Sequence, residues 1–136
     1  MRFLQAFFPE RCIFCGRVIS NREGCCENCV VNLPWYAPSV PDKLFYKQHF
    51  IDFCAPFYYI KNVKSAIYRF KFRGKRGYAR FLAAYMAQQV QKSLPGYSFD
   101  FLAYVPAFHK HRSYYNAAEI LAKALSKKLD IPLLQE

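Results

Sequence analysis

The sequence predicts an α/β protein in which a small cysteine-rich module precedes a domain built on a parallel sheet. Two patterns indicate this fold: five of the six cysteines lie between positions 12 and 29, and strand-like and helix-like segments alternate from about residue 50 onward. The third observation is charge, since 20 Lys and Arg against 9 Asp and Glu give a net charge of +11. Such a basic chain favours polyanionic partners: nucleic acid, phosphorylated ligands or an acidic membrane surface.

The length of 136 residues fits one modest domain, or a small module plus a partial one, and excludes a large multi-domain enzyme. With 54% hydrophobic residues the chain can bury a core. No apolar run approaches the roughly 20 residues that a membrane-spanning helix needs. The expected divisions are a cysteine module with its leader at 1–34, a proline-containing linker at 35–49 and the α/β domain at 50–136.

The α/β domain is predicted from hydrophobic spacing and from turn-forming residues. Its segments are, in chain order, a strand or hairpin arm at 50–60, a helix at 63–72, a helix at 78–94, a buried strand at 99–106, a helix capped by Asn116, and a strand that begins at 131. An apolar run such as 99–106 is typical of a strand covered on both faces, as in a parallel sheet.

Two Cys-x-x-Cys pairs predict a structural zinc site. The expected ligands are Cys12, Cys15, Cys26 and Cys29, since each short loop turns two sulfurs toward one point. Disulfides are the alternative, but a domain held together by disulfides would have its cysteines spread through the chain. Cys25 remains an alternative to Cys26 as the third ligand. Cys54 is expected to be a buried small side chain. Four protein ligands leave no open coordination position, which favours a structural rather than a catalytic role for the metal.

A long interval without acidic residues predicts a nucleic-acid surface. No Asp or Glu lies between Asp52 and Asp100, and aromatic residues alternate with cations near its middle. Cations neutralise phosphates and exposed rings stack on bases, so single-stranded nucleic acid fits best. The competing interpretation is a solvated basic helix whose rings face the core, and half or more of the rings are expected there. The predicted nucleic-acid-binding residues are Lys64, Arg69, Lys71, Arg73, Lys75, Arg76 and Arg80.

A basic loop follows the predicted strand at 99–106 and leads into a helix. Loops at the carboxyl ends of parallel strands bind ligands, and helix amino termini favour phosphate. The candidate phosphate-binding residues are Pro106, His109, Lys110 and Arg112. Plain solvation of this loop is the alternative.

The ordered motifs resemble the ComF family of competence-associated proteins. After the four cysteines come Phe70-Lys71-Phe72-Arg73-Gly74, Tyr104-Val105-Pro106, the basic stretch His109 to Arg112, Tyr115-Asn116 and Ile120-Leu121-Ala122. The order matches over most of the chain. The chain departs from the family pattern in having Ser113-Tyr114-Tyr115-Asn116-Ala117 where Arg-Gly-Phe-Asn-Gln is usual.

The resemblance implies a phosphoribosyltransferase-like, Rossmann-like sheet domain that binds phosphoribosyl pyrophosphate, with residues 106–110 as the pyrophosphate loop. The family's Asp-Asp-x-x-Thr-Thr-Gly loop is absent, so Mg²⁺ with phosphoribosyl pyrophosphate is expected only in a longer form, and enzymatic activity stays undecided. The chain is expected to be a truncated form of such a protein. Family membership also implies a role in natural transformation, with imported single-stranded DNA as the ligand.

Two other functions remain as alternatives. One is a phosphoribosyltransferase of nucleotide metabolism, and the other is a non-enzymatic zinc interaction module that docks on DNA-uptake proteins. The expected location is the cytoplasm. The leader with Phe3, Phe7 and Phe8 is expected to pack on the domain, and a shallow contact with the inner membrane face is the alternative.

Overall fold

The computed structural model describes residues 9–20, 23–37, 52–106 and 115–134. Four helices occupy most of these ranges. They are α1 at Glu27–Val31, α2 at Lys61–Phe72, α3 at Tyr78–Ser93 and α4 at Ala117–Leu129. The three helices predicted from spacing and capping are therefore confirmed as α2, α3 and α4, whereas the short α1 was not predicted.

Helix boundaries follow from local chemistry. The Asn116 side-chain oxygen accepts hydrogen bonds from the backbone N–H groups of Ala118 and Glu119, at 3.1 and 3.2 Å. These two bonds satisfy donors that the first turn of α4 would otherwise leave unpaired, which is the usual function of an N-cap. At the other end, Asp130 adopts a left-handed conformation with φ of 56° and closes the helix.

The predicted parallel sheet is wrong, because the described residues form only isolated β-bridges. One parallel bridge joins Leu102 to Leu133, which are the centres of two predicted strands. It has two backbone hydrogen bonds of 2.8 Å, and no further ladder extends from it in the described ranges. Phe101 is 62% exposed and Val105 is 86% exposed, so this run is not covered on both faces. A Rossmann-like or phosphoribosyltransferase-like domain is therefore not part of the described structure.

The predicted strand at 50–60 is also wrong over the residues described. Within that segment only Phe57 forms a bridge, and its antiparallel partner is Trp35. The N–H of Tyr58 donates to the carbonyl of Pro34 at 2.8 Å, which fixes the pairing. The start of the proline-containing segment, at Pro34 and Trp35, thus pairs with the chain around Phe57.

The larger of two hydrophobic clusters in the described residues joins the cysteine module to the helices. Phe14 is 1% exposed, and its ring lies 5.9 Å from that of Phe57 and 6.1 Å from that of Tyr85 on α3. Val63 and Phe70 contribute the buried face of α2 to the same core. A smaller cluster between α3 and α4 consists of Ala83, Ala87 and Leu125. In the described residues the core is therefore formed by helix faces and the cysteine module, without a sheet.

Candidate metal centre and basic aromatic face

The first cysteine pair lies at the tip of a tight hairpin. Cys12 N–H donates to the Arg17 carbonyl at 2.8 Å, and Gly16 N–H donates to the Cys12 carbonyl at 2.9 Å. Gly16 has a φ of +78°, a conformation that side chains with a Cβ rarely adopt. The loop can therefore turn back sharply enough to direct Cys12 and Cys15 to the same side.

The second pair lies at the start of α1. Cys26 is the N-cap of this helix, and its carbonyl accepts from the N–H groups of Cys29 and Val30 at 2.9 and 3.0 Å. The two loops are joined by a 2.8 Å hydrogen bond from Ile13 N–H to the Gly24 carbonyl. Backbone bonds thus fix both pairs relative to one another.

Four sulfurs meet in one cluster with zinc-like geometry. The Sγ atoms of Cys12, Cys15, Cys26 and Cys29 all lie within 4.8 Å of one another. The Cys15 and Cys26 sulfurs are 3.7 Å apart. Zinc–sulfur bonds of about 2.3 Å in a tetrahedron give sulfur–sulfur edges of about 3.8 Å, so these residues fit zinc. All six cysteines are free, which removes the disulfide alternative for this structure.

Cys12 is electrostatically suited to be a thiolate. Its burial opposes ionisation, but hydrogen bonds from the backbone of Cys15, Cys26 and Phe14 outweigh that effect and lower its pKa to about 6. Backbone donors directed at a ligand sulfur both stabilise its negative charge and fix its direction. This is the arrangement expected of a preformed metal loop.

Cys25 has different surroundings from its neighbour Cys26. It is 2% exposed, outside the four-sulfur group, and its thiol donates to the Cys26 carbonyl at 3.5 Å. Burial, reinforced by the charge of Cys12, raises the pKa of Cys25 to about 12, and its side chain bonds with that of Tyr85. Cys25 is thus a neutral core thiol. Cys54 is half-buried in a separate part of the chain.

Arg69 ties α2 to the metal loop, a role that sequence reasoning missed. Its Nη2 donates to the carbonyls of Ile13 and Phe14, at 2.7 and 2.9 Å. Both acceptors lie between the first two cysteines. The only sequence signal was a cation on the flank of a helix, and the sequence contains nothing that distinguishes it from its exposed neighbours.

A second unpredicted contact joins the module to α3. A Cβ placed on Gly24 would lie 2.4 Å from the ring of Phe81, so that ring rests directly on the glycine. Gly24 also has a φ of +74°. Both the backbone conformation and the close packing therefore require glycine at this position.

Comparison with known proteins supports the metal site. Residues 3–43 match the family described as the double zinc ribbon domain. The chain thus carries a double zinc ribbon domain at its N-terminus, and the four clustered cysteines within it support a structural zinc ion. No curated protein and no solved structure matches the chain. The match covers under a third of the 136 residues, and it does not extend to the ComF family.

The predicted nucleic-acid-binding residues fall in different surroundings. Arg69 is committed to the metal loop, and Arg80 forms an ion pair with Glu10 at 3.1 Å. Arg76 stacks over the ring of Tyr115 at 4.7 Å, and Arg73 lies over that of Tyr68 at 5.9 Å.

The three lysines among the predicted nucleic-acid-binding residues are exposed: Lys64, Lys71 and Lys75. Their role in binding stays a prediction.

The structure separates core rings from exposed rings along α2. Phe70 is 2% exposed and belongs to the core, whereas Tyr68 and Phe72 are 48% and 61% exposed. The Tyr68 and Phe72 ring centroids are 5.2 Å apart. We call Lys64, Tyr68 and Phe72 the α2 stripe, since residues four apart follow one face of a helix.

The predicted phosphate loop falls mostly outside the described residues. Pro106 is described and is exposed, whereas His109, Lys110 and Arg112 are outside the described ranges. Most of the leader, residues 1–8, is outside them as well. Among the helices that are described, none combines the length and apolar character needed to cross a bilayer.

Proposed function

We propose that this chain is a non-enzymatic, zinc-stabilised module that binds single-stranded nucleic acid through the α2 stripe. The ComF-like order of its motifs suggests imported DNA as the natural ligand, in the cytoplasm. The observation that carries the proposal is the exposed pair Tyr68 and Phe72, with the Arg73 guanidinium over the Tyr68 ring.

The α2 stripe has the composition of a stacking surface. Two adjacent rings on the solvent side of a helix can each receive the face of an unpaired base. Stacking of this kind contributes about 1–3 kcal/mol per base and tolerates any base. Lys64, one turn before Tyr68, and Arg73, directly after Phe72, supply positive charge at both ends. The two rings therefore lie between two cations, an arrangement that suits a flexible strand with a charged backbone.

Zinc supports this surface without taking part in chemistry. Four cysteines complete the coordination of the ion, so no position is left for a substrate or water. The metal loop holds α2 through Arg69, on a different face of the helix from the stripe. In this proposal the metal maintains the fold, and the exposed face of α2 does the binding.

The transferase alternative is not proposed. It depends on a parallel sheet with a binding loop at its edge, and the described residues contain only isolated bridges. Phosphoribosyl pyrophosphate binding and Mg²⁺ therefore stay predictions from the family resemblance. The interaction-module alternative is supported by the exposed apolar residues Phe101, Val105 and Leu134, which would suit a protein partner.

The test is fluorescence anisotropy of the zinc-loaded full chain with labelled oligo-dT. Tyr68→Ala combined with Phe72→Ala should weaken binding about tenfold or more, from the loss of two stacking rings. Phe101→Ala is the matched control, because Phe101 is 62% exposed against 61% for Phe72 and lies off the stripe. Wild-type affinity should also fall steeply as salt increases, since phosphate contacts release counterions.

Equal affinity of the double variant and the Phe101→Ala control would refute the proposal. So would wild-type affinity that does not change with salt. If wild-type protein binds no oligonucleotide at all while Phe101→Ala abolishes capture of a DNA-uptake protein, the interaction module is the better function. Circular dichroism spectra of each variant distinguish a loss of binding from a loss of folded structure.

A further inference from the structure

A cationic cleft lies between the metal loop and the turn that joins α2 to α3. Its volume is about 680 Å³, within the usual range of small-ligand sites. Four cations line it, namely Arg11, Arg69, Lys75 and Arg80, and Glu10 is the one acidic residue among the lining side chains. The lining side chains thus carry a net charge of +3 (four positive minus one negative).

Most of these cations are held in place by the protein. The Arg11 Nη1 donates to the Gly16 carbonyl at 3.2 Å, and Arg69 is bonded to the metal loop. Arg80 pairs with Glu10 and also lies over the Phe81 ring at 4.3 Å. Each guanidinium has five N–H donors, and these contacts engage only some of them. The arginines are therefore preorganised, and an anion in the cleft would not have to order them.

Lys75 differs from the three arginines. It is exposed at the cleft, and in the described part of the chain it forms no ion pair. It lies in the α2–α3 turn, three residues after Phe72, so along the chain this cleft residue directly follows the α2 stripe. A strand stacked on Tyr68 and Phe72 could therefore place its end in the cleft.

We propose that this cleft binds the terminal phosphate of a single strand that lies on the α2 stripe. A terminal phosphate carries close to two negative charges at neutral pH, whereas each phosphate within a strand carries one. A site with net charge +3, which includes one exposed lysine, suits the dianion better. The inference rests on the proposed function, since it names a second contact of the same ligand, but it depends on different residues.

The experiment compares 5′-phosphorylated and 5′-hydroxyl oligo-dT in binding to the zinc-loaded full chain. Wild type should prefer the phosphorylated strand about tenfold or more, the effect of one charge-assisted hydrogen bond. Lys75→Gln should abolish this preference. Glu10→Gln should increase it, because Arg80 then loses its competing carboxylate. The matched control is Lys92→Gln, which removes the same charge about 21 Å along α3 from Tyr78.

The outcomes separate the two proposals. Equal binding of the two strands by wild type, or a preference that Lys75→Gln and Glu10→Gln both leave unchanged, would overturn the inference while the α2 stripe stands. Thermal stabilisation by inorganic phosphate without any difference between strands would also overturn it, because the cleft would then serve a free phosphorylated molecule. Loss of the preference in Lys75→Gln alone, with the hydroxyl strand still bound, would support it.

Discussion

Arg69 donates a 2.7 Å hydrogen bond to the backbone carbonyl of Ile13, which lies 56 residues earlier in the chain. Ile13 lies between Cys12 and Cys15, so the helix that presents the proposed binding surface is bonded to the metal loop itself. The zinc site and α2 are therefore parts of one structure, and a change in either one should be detectable in the other.

Arg69→Met should destabilise the protein by about 2–4 kcal/mol, because it leaves two carbonyls of the metal loop without their charged donor. Urea unfolding of the zinc-loaded chain measures this change. Arg73→Met is the control, since the Arg73 side chain lies over the exposed Tyr68 ring and the substitution leaves its backbone bond to the Arg69 carbonyl in place. Similar unfolding free energies for the two variants would show that the Arg69 contact does not stabilise the fold.

Metal content should be one zinc ion per chain, and chelation should unfold the module, because metal binding supplies much of the folding free energy of such small sites. Cys15→Ser should lose the metal, and since Cys15 is exposed, its replacement creates no cavity in the core. Cys54→Ser should retain it. Elemental analysis and near-ultraviolet circular dichroism provide the readout, and zinc retained in Cys15→Ser would contradict the four-sulfur site.

Gly24→Ala should be markedly more destabilising than Gly16→Ala. Both glycines have positive φ, so both variants incur backbone strain of about 1–2 kcal/mol. Only at Gly24 does the new methyl group meet a ring, since nothing lies within 4 Å of the equivalent position at Gly16. Overpacking of that kind adds about 1–3 kcal/mol. Equal melting temperatures for the two variants would show that Phe81 does not pack on Gly24.

Asn116→Ala should lower stability by about 1 kcal/mol through loss of the cap on α4. Asn116→Asp retains an oxygen acceptor and adds a negative charge at the positive end of the helix, so it should be neutral or slightly stabilising. Thermal unfolding of the two variants checks this, and equal effects would mean that the cap bonds to Ala118 and Glu119 contribute little.

Local patterns predicted local structure well. The spacing of apolar residues located α2 and α3, Asn116 marked the start of α4, and the two Cys-x-x-Cys pairs brought the correct four sulfurs together. The helices and the cap depend on residues close together in the chain, and each half of the metal site depends on one short loop. Spacing to Cys29 favoured Cys26 over Cys25 as the third ligand, and the four-sulfur group contains Cys26, whereas Cys25 is buried outside it.

Long-range contacts could not be predicted in the same way. The apolar run at 99–106 is consistent with a buried strand or with an exposed extended segment, and only its neighbours decide between them. Likewise, Arg69 and Lys64 are both cations on α2, yet one is bonded to the metal loop and the other is exposed. Family resemblance favoured a sheet, but the described residues bury their core between helices.

The burial of Phe14 has a practical consequence for dissecting this protein. That ring is 1% exposed and packs against Phe57 and Tyr85, which both belong to the chain beyond Cys29. A fragment cut after Leu33 would present the ring to water and invite self-association, even with its metal in place. The four-cysteine module is therefore not an independent unit. Grafting it onto another scaffold would also require aromatic residues equivalent to Phe57 and Tyr85.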